Sequence, residues 1–497
     1  MGNDIYSMTF KRKCSLNLYK NLKLKLGEMS FTGDFVNDTR GDLYPIIEKK
    51  GKVSERVENF SHTVSGENGF SVERLLGQFF PYANYEIKFK SEGCGCGFVF
   101  RSPKENAVCK VVAEKDENGK VRIAVTHTET EFISTETDFD DEISLIINAV
   151  GNNFYVYLKT GEYPVYVGKT VSEKMGRIKE MNIFNCATAS VVVQSEMGGN
   201  ATVKNVEFYL DCGICQADMK PIKYEDGLPY IEGGRVFLTM SSRFQEGQYQ
   251  TVISWLPGTC EFKLEGAIFY DHGNDAWEND VAASVIYNRI EKIWQLWVAG
   301  FSSSHRLACG TSKADLRFGI NVVDVTPMDF PEIPDDKAFA AKSGDEDPDF
   351  FFDEETGKWY MAICRHVTDE TGTNYRYFMF ESDKPFEDYK YVTHSVNGCE
   401  TGGSFVKIAG KRYFVCGSNF DKRALYHIYP IGDFSKPELI KCDFDDGGFR
   451  GWGTIIPVPC GNRTKYQWIT FDRHLGSSWN WSYGNIYIYE SDMMNNE

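Results

Sequence analysis

The feature that most constrains the fold of this chain is a hairpin that recurs five times in its C-terminal half. Each copy begins with a turn that carries a basic residue or a glycine, and continues as a short aromatic strand. When Phe237, Trp294, Tyr360, Tyr413 and Trp468 are taken as equivalent points, the steps between them are 57, 66, 53 and 55 residues. Repeats of this size predict a five-bladed β-propeller. The alternative is five separate hairpins in an ordinary sandwich.

The region before these repeats has a different pattern. Alternating polar and apolar residues at positions 85–90, 121–125 and 154–158 indicate short strands, and turn residues separate them. No segment there has a convincing helical period. We therefore expect an all-β chain with three parts: a lead-in segment at 1–30, a β-sandwich of the jelly-roll type at 31–220, and a five-bladed β-propeller at 221–497.

Composition restricts the class of partner. The formal net charge is -17, which argues against nucleic acid and anionic membranes, and 14% of the residues are aromatic, which suits surfaces that stack on sugars. No run of 18 apolar residues is present, so no membrane span is expected. The N-terminal residues lack the apolar core of a signal peptide. The expected location is cytoplasmic, or secreted if a signal peptide has been removed. The 14 scattered cysteines are expected to be reduced thiols.

One acidic stretch precedes the third hairpin. Asp347 is followed by Pro348, which is expected to hold Asp347 in an extended conformation. Residues 350–352 form a short apolar run with strand propensity, and Gly357 closes an acidic turn before the return strand. This pattern places a carboxylate at the beginning of a strand.

Two parts of the chain resemble known families. The segment 95–101, with the strands near 145–157 and 203–209, resembles the concanavalin-like jelly rolls that accompany glycanases, which implies carbohydrate binding or a structural brace. The stretch 347–353 with 357–361 resembles the middle motif of glycoside hydrolase families 43 and 32. In that motif the first aspartate tunes the acid and holds the sugar, a role that the resemblance assigns to Asp347. Glu346 stands where family 32 has an arginine.

The same resemblance implies two further catalytic carboxylates. The stretch 397–408 is similar to the motif that supplies the general acid, which would be Glu400. Asp226 matches the position of the aspartate that serves as base or nucleophile, and Asp280 is the alternative for that role. Asp280 is otherwise expected to bind substrate, as are Trp277, Trp452 and His366.

Cleavage of a glycosidic bond needs a protonated carboxylic acid beside the leaving oxygen and an ionised carboxylate on the other face of the sugar. A third carboxylate raises the pKa of the acid by repulsion between like charges. The predicted function is therefore a glycosidase that acts on furanoside or pentoside linkages of arabinan, arabinoxylan or fructan. Its partner would be an oligo- or polysaccharide, with neither metal nor cofactor. The alternatives are a non-catalytic glycan-binding protein with a decayed site and a propeller glycoside phosphorylase. The sugar, the stereochemistry and the oligomeric state stay open.

Overall fold

The structure is a computed structural model that is nearly all β, with 68% strand and 2% helix. It describes residues 5–20, 22–38, 40–115, 119–126, 130–133, 142–159, 163–171, 178–244, 247–303, 305–331, 340–369, 372–418, 425–442, 450–471 and 485–495. Within these ranges there is one short α-helix, Met181–Phe184, and there are two 3-10 turns, Ile5–Ser7 and Leu18–Lys20. None of the described helices has the length and apolar character needed to cross a membrane.

The chain divides into two compact units. One consists of Lys23–Asp211, and the other combines Met1–Leu22 with Cys212–Glu497. The predicted boundaries at 30/31 and 220/221 therefore shift to 22/23 and 211/212. The first residues are part of the second unit rather than a separate lead-in segment, because their strand completes a sheet of that unit, as described below.

The unit Lys23–Asp211 is built from two antiparallel sheets. Strands are numbered in chain order from β1 (Thr9–Leu16), which belongs to the other unit. The strands of this unit are β2 (Lys23–Met29), β3 (Phe35–Val36), β4 (Ile46–Lys50), β5 (Val53–Glu58), β6 (Ser61–Gly66), β7 (Phe70–Gln78), β8 (Tyr82–Glu92), β9 (Gly95–Ser102), β10 (Ala107–Lys115), β11 (Val121–Val125), β12 (Thr130–Ile133), β13 (Ile143–Val150), β14 (Asn153–Lys159), β15 (Val165–Val171), β16 (Thr188–Ser195) and β17 (Gly199–Asp211). One sheet has the order β12-β11-β10-β9-β16-β7-β4. The other has the order β15-β14-β13-β8-β17-β6-β5-β3, and β2 also pairs with β17.

Aromatic side chains fill the space between these two sheets. Tyr85 and Phe154 come from one sheet, and Phe98 and Phe100 come from the other. All four are buried, and the ring of Phe100 lies 5.0 Å from those of both Tyr85 and Phe154, measured between centroids. Inward-facing residues of two sheets that pack on each other form the core of a β-sandwich. We call this part of the chain the sandwich unit.

In the described residues of the other unit, the main strands form five antiparallel sheets of four strands each, which we call blades 1–5. Blade 1 contains β18 (Cys215–Pro221), β21 (Arg235–Arg243), β22 (Gln248–Leu256) and β23 (Glu261–Asp271). Blade 2 contains β24 (Val281–Asn288), β25 (Ile293–Gly300), β26 (Arg306–Ser312) and β27 (Gly319–Pro327). Blade 3 contains β28 (Ala340–Asp353), β29 (Lys358–Asp369), β30 (Gly372–Ser382) and β31 (Lys390–His394). Blade 4 contains β32 (Glu400–Ile408), β33 (Lys411–Ser418), β34 (Leu425–Pro430) and β35 (Glu438–Leu439), and blade 5 contains β37 (Arg450–Cys460), β38 (Arg463–Phe471), β39 (Ile486–Ser491) and β1.

Four short strands extend these blades. They are β19 (Lys223–Tyr224), β20 (Ile231–Glu232), β36 (Lys441–Cys442) and β40 (Met494–Asn495). The outermost strands of blades 1 and 2, β23 and β27, also pair in parallel, so that these two blades share one continuous sheet.

The first strands of the five blades form the centre of this unit. These inner strands, β18, β24, β28, β32 and β37, contact one another in a closed ring. Hydrophobic clusters lie between successive blades, and each draws its buried side chains from two neighbours. This arrangement is that of a propeller with five blades. The predicted repeat is confirmed, since Phe237, Trp294, Tyr360, Tyr413 and Trp468 each lie on the second strand of a different blade. We call this the propeller-like unit.

The N-terminal strand β1 completes blade 5. It pairs with β39 from Phe10 opposite Ser491 to Leu16 opposite Ile486, and Phe10 is fully buried with its ring against Trp468. Cys14 on β1 forms a disulfide with Cys260, which lies just before β23 of blade 1. These two cysteines are thus not the reduced thiols that were expected. The N-terminal segment thus closes the ring of blades. It supplies the fourth strand of blade 5 and a disulfide bond to blade 1.

We expect deletion of residues 1–22 to destabilise the propeller-like unit severely, because it removes the fourth strand of blade 5 and exposes the apolar surface that Phe10 covers. The matched control is Cys14→Ser, which keeps the strand and should cost only the ~2–4 kcal/mol typical of a lost disulfide. Thermal unfolding followed by circular dichroism compares the two variants. If the deletion variant had the same unfolding midpoint as the intact protein, the N-terminal strand would not be needed to close the ring of blades.

Candidate active site

The inner strands of all five blades carry a β-bulge. The bulged pairs of residues are Asp218 with Met219, Ala282 with Ala283, Asp347 with Pro348, Gly402 with Gly403, and Trp452 with Gly453. In each pair one residue has a positive φ, between 49° and 122°, which non-glycine residues adopt rarely. Bulges commonly turn a side chain out of the regular alternation beside active sites. The five bulges are therefore equivalent positions around the ring.

The residues that follow the bulges contact one another from blade to blade, which shows that the five bulges lie at the same height in the ring. Asp349 accepts a hydrogen bond from Ser284 Oγ at 2.6 Å and from Ser404 Oγ at 3.3 Å, and Ser404 in turn contacts Thr454 at 3.3 Å. Lys220 Nζ donates to the carbonyl oxygen of Pro348 at 2.7 Å. All five inner strands thus meet in one polar layer, with the bulges one step nearer the strand beginnings.

A buried ion pair stabilises this layer. Lys223 Nζ lies 2.6 and 2.7 Å from the two carboxylate oxygens of Asp349, and both side chains are almost wholly buried. The backbone N–H of Phe405 donates a further hydrogen bond to Asp349 at 2.6 Å. Burial alone would raise the pKa of Asp349, but the charges of Lys223 and Lys220 hold it below its usual value. Asp349 therefore binds the blades together and is not available for substrate.

Asp347 occupies the bulge of blade 3. Its Oδ2 accepts hydrogen bonds from Thr401 Oγ1 at 2.8 Å and from the backbone N–H of Gly402 at 2.9 Å. Burial, followed by the charges of Glu346 and Asp218, raises the pKa of Asp347 to about 6. The expectation that Pro348 keeps Asp347 extended is wrong, since Asp347 has a φ of 49°. The bulge imposes the left-handed conformation at this position.

Asp218 occupies the equivalent bulge of blade 1. It is buried with a φ of 53°, and its nearest charged partner is Arg243, whose Nη2 lies 3.6 Å from Oδ2. That separation is longer than a hydrogen bond. Since Asp218 is close enough to influence the pKa of Asp347, two carboxylates from different blades share this end of the ring.

Glu400 is the first residue of the inner strand in blade 4. Its Oε1 accepts hydrogen bonds from Tyr429 OH and interacts with His427 Nδ1, both at 2.5 Å. Oε2 has no hydrogen-bond partner among the residues that the structure describes, and the whole side chain is buried. The two residues after Glu400 are those that donate to Asp347. The structure therefore brings Glu400 and Asp347 together, as predicted from the sequence.

Asp226 does not join this group. It follows the end of the inner strand of blade 1, in a segment whose strand β19 pairs with the last residues of β24. Its Oδ2 accepts a hydrogen bond from Arg289 Nη2 at 2.8 Å, beyond the end of β24. The seven residue steps of β24 span roughly 20 Å. Asp226 therefore lies at the opposite end of the blades from Asp347, whereas Asp218 lies at the same end as Asp347.

Asp280 lies at the strand beginnings, directly before β24, but its carboxylate is engaged. Oδ2 contacts His272 Nε2 at 2.6 Å and Ser302 Oγ at 2.9 Å, and Oδ1 accepts from the backbone N–H of Ser302 at 2.7 Å. The hydrogen bond from Asp280 raises the pKa of His272. Both oxygens of Asp280 are engaged by these contacts, so Asp280 positions its neighbours.

The remaining predicted binding residues occupy different surroundings. Trp277 stacks on Phe269 with ring centroids 5.4 Å apart. Trp452 lies in the bulge of blade 5, and its side chain is outside the described part of the structure. His366 lies on the second strand of blade 3, where Nε2 is 3.4 Å from Glu346 Oε1. The ligand atoms of His305, Glu346 and His366 lie within 4.8 Å of one another, so that the three side chains could share a metal ion.

Sequence reasoning missed Asp218 because blade 1 has an unusual connection. Blades 2–5 join their first and second strands by tight turns, whereas 13 residues separate Pro221 from Arg235. The segment 222–234, which contains Asp226, therefore lies between the first and second strands of blade 1 instead of before the first. One sequence pattern could have identified Asp218. In blades 1 and 3 an aspartate is followed two positions later by a residue of the polar layer: Asp218 by Lys220, and Asp347 by Asp349.

Comparisons with known proteins found similar solved structures but no similar sequence. No family model and no curated protein sequence matches the chain. Among solved structures, a thermostable family-43 glycoside hydrolase is similar over 57% of this chain and 92% of its own, at 13% identity and a TM-score of 0.38. Levansucrase of Bacillus subtilis covers 57% and 84% at 12% identity and a TM-score of 0.36. The catalytic domain of the GH62 alpha-L-arabinofuranosidase of Coprinopsis cinerea covers 57% and 92% at 12% identity and a TM-score of 0.35. The chain is thus structurally similar, at low sequence identity, to five-bladed propeller glycoside hydrolases over about 57% of its length.

Proposed function

We propose that this protein is a glycoside hydrolase that cleaves furanoside or pentoside linkages, with arabinan, arabinoxylan and fructan as candidate substrates. The observation that supports this proposal is the grouping of three carboxylates from blades 1, 3 and 4. Asp218 and Asp347 occupy the bulges of their inner strands, and Glu400 begins a third inner strand two residues before its bulge, so all three lie in the region where the bulges of the five blades meet. A pair of carboxyl groups on either side of a glycosidic bond is the usual requirement for its hydrolysis.

Each carboxylate is given a role by its surroundings. Asp218 is the base or nucleophile, because the nearest cation, Arg243, is 3.6 Å away and leaves its oxygens available. Asp347 holds the sugar and is positioned by the hydrogen bonds from Thr401 and Gly402. Glu400 is the general acid, and Oε2 carries the transferable proton because Oε1 is engaged by His427 and Tyr429.

A second candidate function is non-catalytic glycan binding. The observation that favours it is the complete burial of Glu400, since an acid has to reach the leaving oxygen of the substrate. In this alternative, Asp218 and Asp347 bind sugar hydroxyl groups, and Glu400 is part of the interior of blade 4.

A panel of substrates separates these functions. We expect the purified protein to hydrolyse at least one of three probes: an aryl arabinofuranoside, an aryl xyloside or a fructan oligomer. Hydrolysis should proceed without added phosphate, whereas a phosphorylase would need phosphate for turnover. The control is the double variant Asp218→Asn, Asp347→Asn, purified in parallel, which should be inactive. Binding of arabinan or fructan without turnover of any probe would instead favour the glycan-binding function.

A further inference from the structure

We infer that His305, Glu346 and His366 form a binding site for a transition-metal ion of the zinc class, located between blades 2 and 3. His305 lies at the beginning of the third strand of blade 2, Glu346 is on the inner strand of blade 3, and His366 is on the second strand of that blade. This site is separate from the carboxylate chemistry proposed above, although Glu346 is adjacent to Asp347 in the chain.

The distances between the ligand atoms fit a shared ion better than direct hydrogen bonds. Nε2 of His305 is 3.5 Å from Oε2 of Glu346, and Nε2 of His366 is 3.4 Å from Oε1. Both separations exceed the normal length of an N–H···O hydrogen bond. Two ligand atoms that each lie ~2.1 Å from a tetrahedral zinc ion are about 3.4 Å apart. The two imidazoles thus each approach an oxygen of the same carboxylate at about this spacing, and the ligand atoms of the three residues lie within 4.8 Å of one another.

The backbone holds His305 in place for this role. Its carbonyl oxygen accepts a hydrogen bond from the backbone N–H of Asp345 at 3.0 Å, which ties blade 2 to the strand that carries Glu346. Gly344 permits this approach, because a Cβ at that position would lie 2.0 Å from the carbonyl oxygen of His305. The close contact between the two blades therefore depends on a residue without a side chain.

The charges around the site leave Glu346 as its anionic ligand. Arg365 forms two hydrogen bonds with the neighbouring carboxylate of Asp345, at 2.7 and 2.9 Å, which neutralises that charge. The ring of His366 packs against Tyr375 with centroids 4.1 Å apart, which fixes its orientation. Nε2 of His305 has no hydrogen-bond partner in the part of the chain that the structure describes.

The donor set selects the class of ion. Two imidazole nitrogens and one carboxylate suit Zn²⁺, Co²⁺ or Ni²⁺, whereas Ca²⁺ and Mg²⁺ prefer sites made of oxygen ligands alone. Three protein ligands leave a position for water or for a hydroxyl group of a bound sugar. An ion here would also join blades 2 and 3 beside the candidate active site.

Metal uptake by the full-length protein tests the inference without any sugar substrate. After treatment with a chelator and dialysis, titration calorimetry with Zn²⁺ should give one ion bound per chain. Addition of Co²⁺ instead should give the visible absorption spectrum of a Co²⁺ ion with a low coordination number. His305→Ala, His366→Ala and Glu346→Gln should each weaken binding by more than the 10–100-fold that loss of a ligand's hydrogen-bonding partner usually costs.

The matched control is His394→Ala, which removes an imidazole from the same blade, where it interacts with Tyr391. It should bind Zn²⁺ as the unmodified protein does. Thermal unfolding of each variant without metal shows whether it is folded, and Zn²⁺ should raise the midpoint of the control but not of the three ligand variants. No stoichiometric uptake, or uptake that His305→Ala and His366→Ala leave unchanged, would overturn the inference. The latter result would point to the twelve cysteines outside the Cys14–Cys260 disulfide as the ligands.

Discussion

Asp218→Asn is expected to lower turnover by at least ~10³-fold on both natural glycosides and activated aryl glycosides, within the range that acid–base groups contribute. The base or nucleophile is needed whatever the leaving group, so a better leaving group should not rescue the variant. Asparagine has nearly the same shape as aspartate and keeps one oxygen, so the bulge and its φ of 53° should persist. Steady-state kinetics on one substrate of each kind measures the effect.

The matched control for Asp218→Asn is Asp226→Asn. Asparagine at 226 retains the oxygen that accepts from the backbone N–H of Leu228 and loses only the charge that pairs with Arg289, whose side chain is partly exposed. Activity should stay within about twofold of the unmodified protein, because Asp226 lies at the opposite end of the blades from Asp347. The variant should also stay folded, since partly exposed ion pairs contribute ~1 kcal/mol or less to stability. If Asp226→Asn were inactive and Asp218→Asn active, the assignment made from the blade geometry would be wrong.

Glu400→Gln is expected to slow cleavage of natural glycosides by about 10²–10⁴-fold, the usual contribution of general acid catalysis. Glutamine is of the same size and can still accept from Tyr429, but it has no proton to give to a leaving oxygen. An aryl glycoside whose phenolate departs unaided should therefore be much less affected. The ratio of kcat/KM for the activated substrate to that for the natural one is the quantity to measure.

Glu225→Gln is the matched control, since Glu225 is also a buried glutamate but lies at the far end of the blades with Arg289. It should reduce stability somewhat because the partly exposed Arg289 loses the charge of its buried partner, yet leave the ratio between the two substrates unchanged. If Glu400→Gln slowed both substrates equally, Glu400 would not be the acid, and its buried contacts with His427 and Tyr429 would be structural.

The sequence was informative where the relevant signal is local. Each aromatic hairpin lies within about ten residues, so Tyr360, Tyr413 and the other equivalent points could be recognised from their own neighbourhood. The same holds for Asp347, whose carboxylate lies directly before an apolar strand. The number of blades and the position of two of the three proposed catalytic residues could be derived in this way.

The remaining features depend on contacts between distant parts of the chain. The pairing of β1 with β39 joins residues 470 to 481 positions apart, and no local pattern in residues 9–16 distinguishes a closing strand from a lead-in segment. The connection at 222–234 hid the inner strand of blade 1, and with it Asp218. The positive φ of Asp347 depends on the ladder with β29, which overrides the preference of a residue that precedes proline.

The pairing of β1 with β39 also sets an order of events during synthesis. Phe10 leaves the ribosome long before Ile486 is made, and at typical rates of elongation the interval is on the order of 25–95 seconds. Throughout that time β39, the neighbour of the first strand in blade 5, has not been made, while the sandwich unit and four blades emerge and can fold. A nascent chain of this protein therefore carries an uncovered aggregation-prone edge for most of its translation, and we expect chaperones that shield nascent chains to improve its yield.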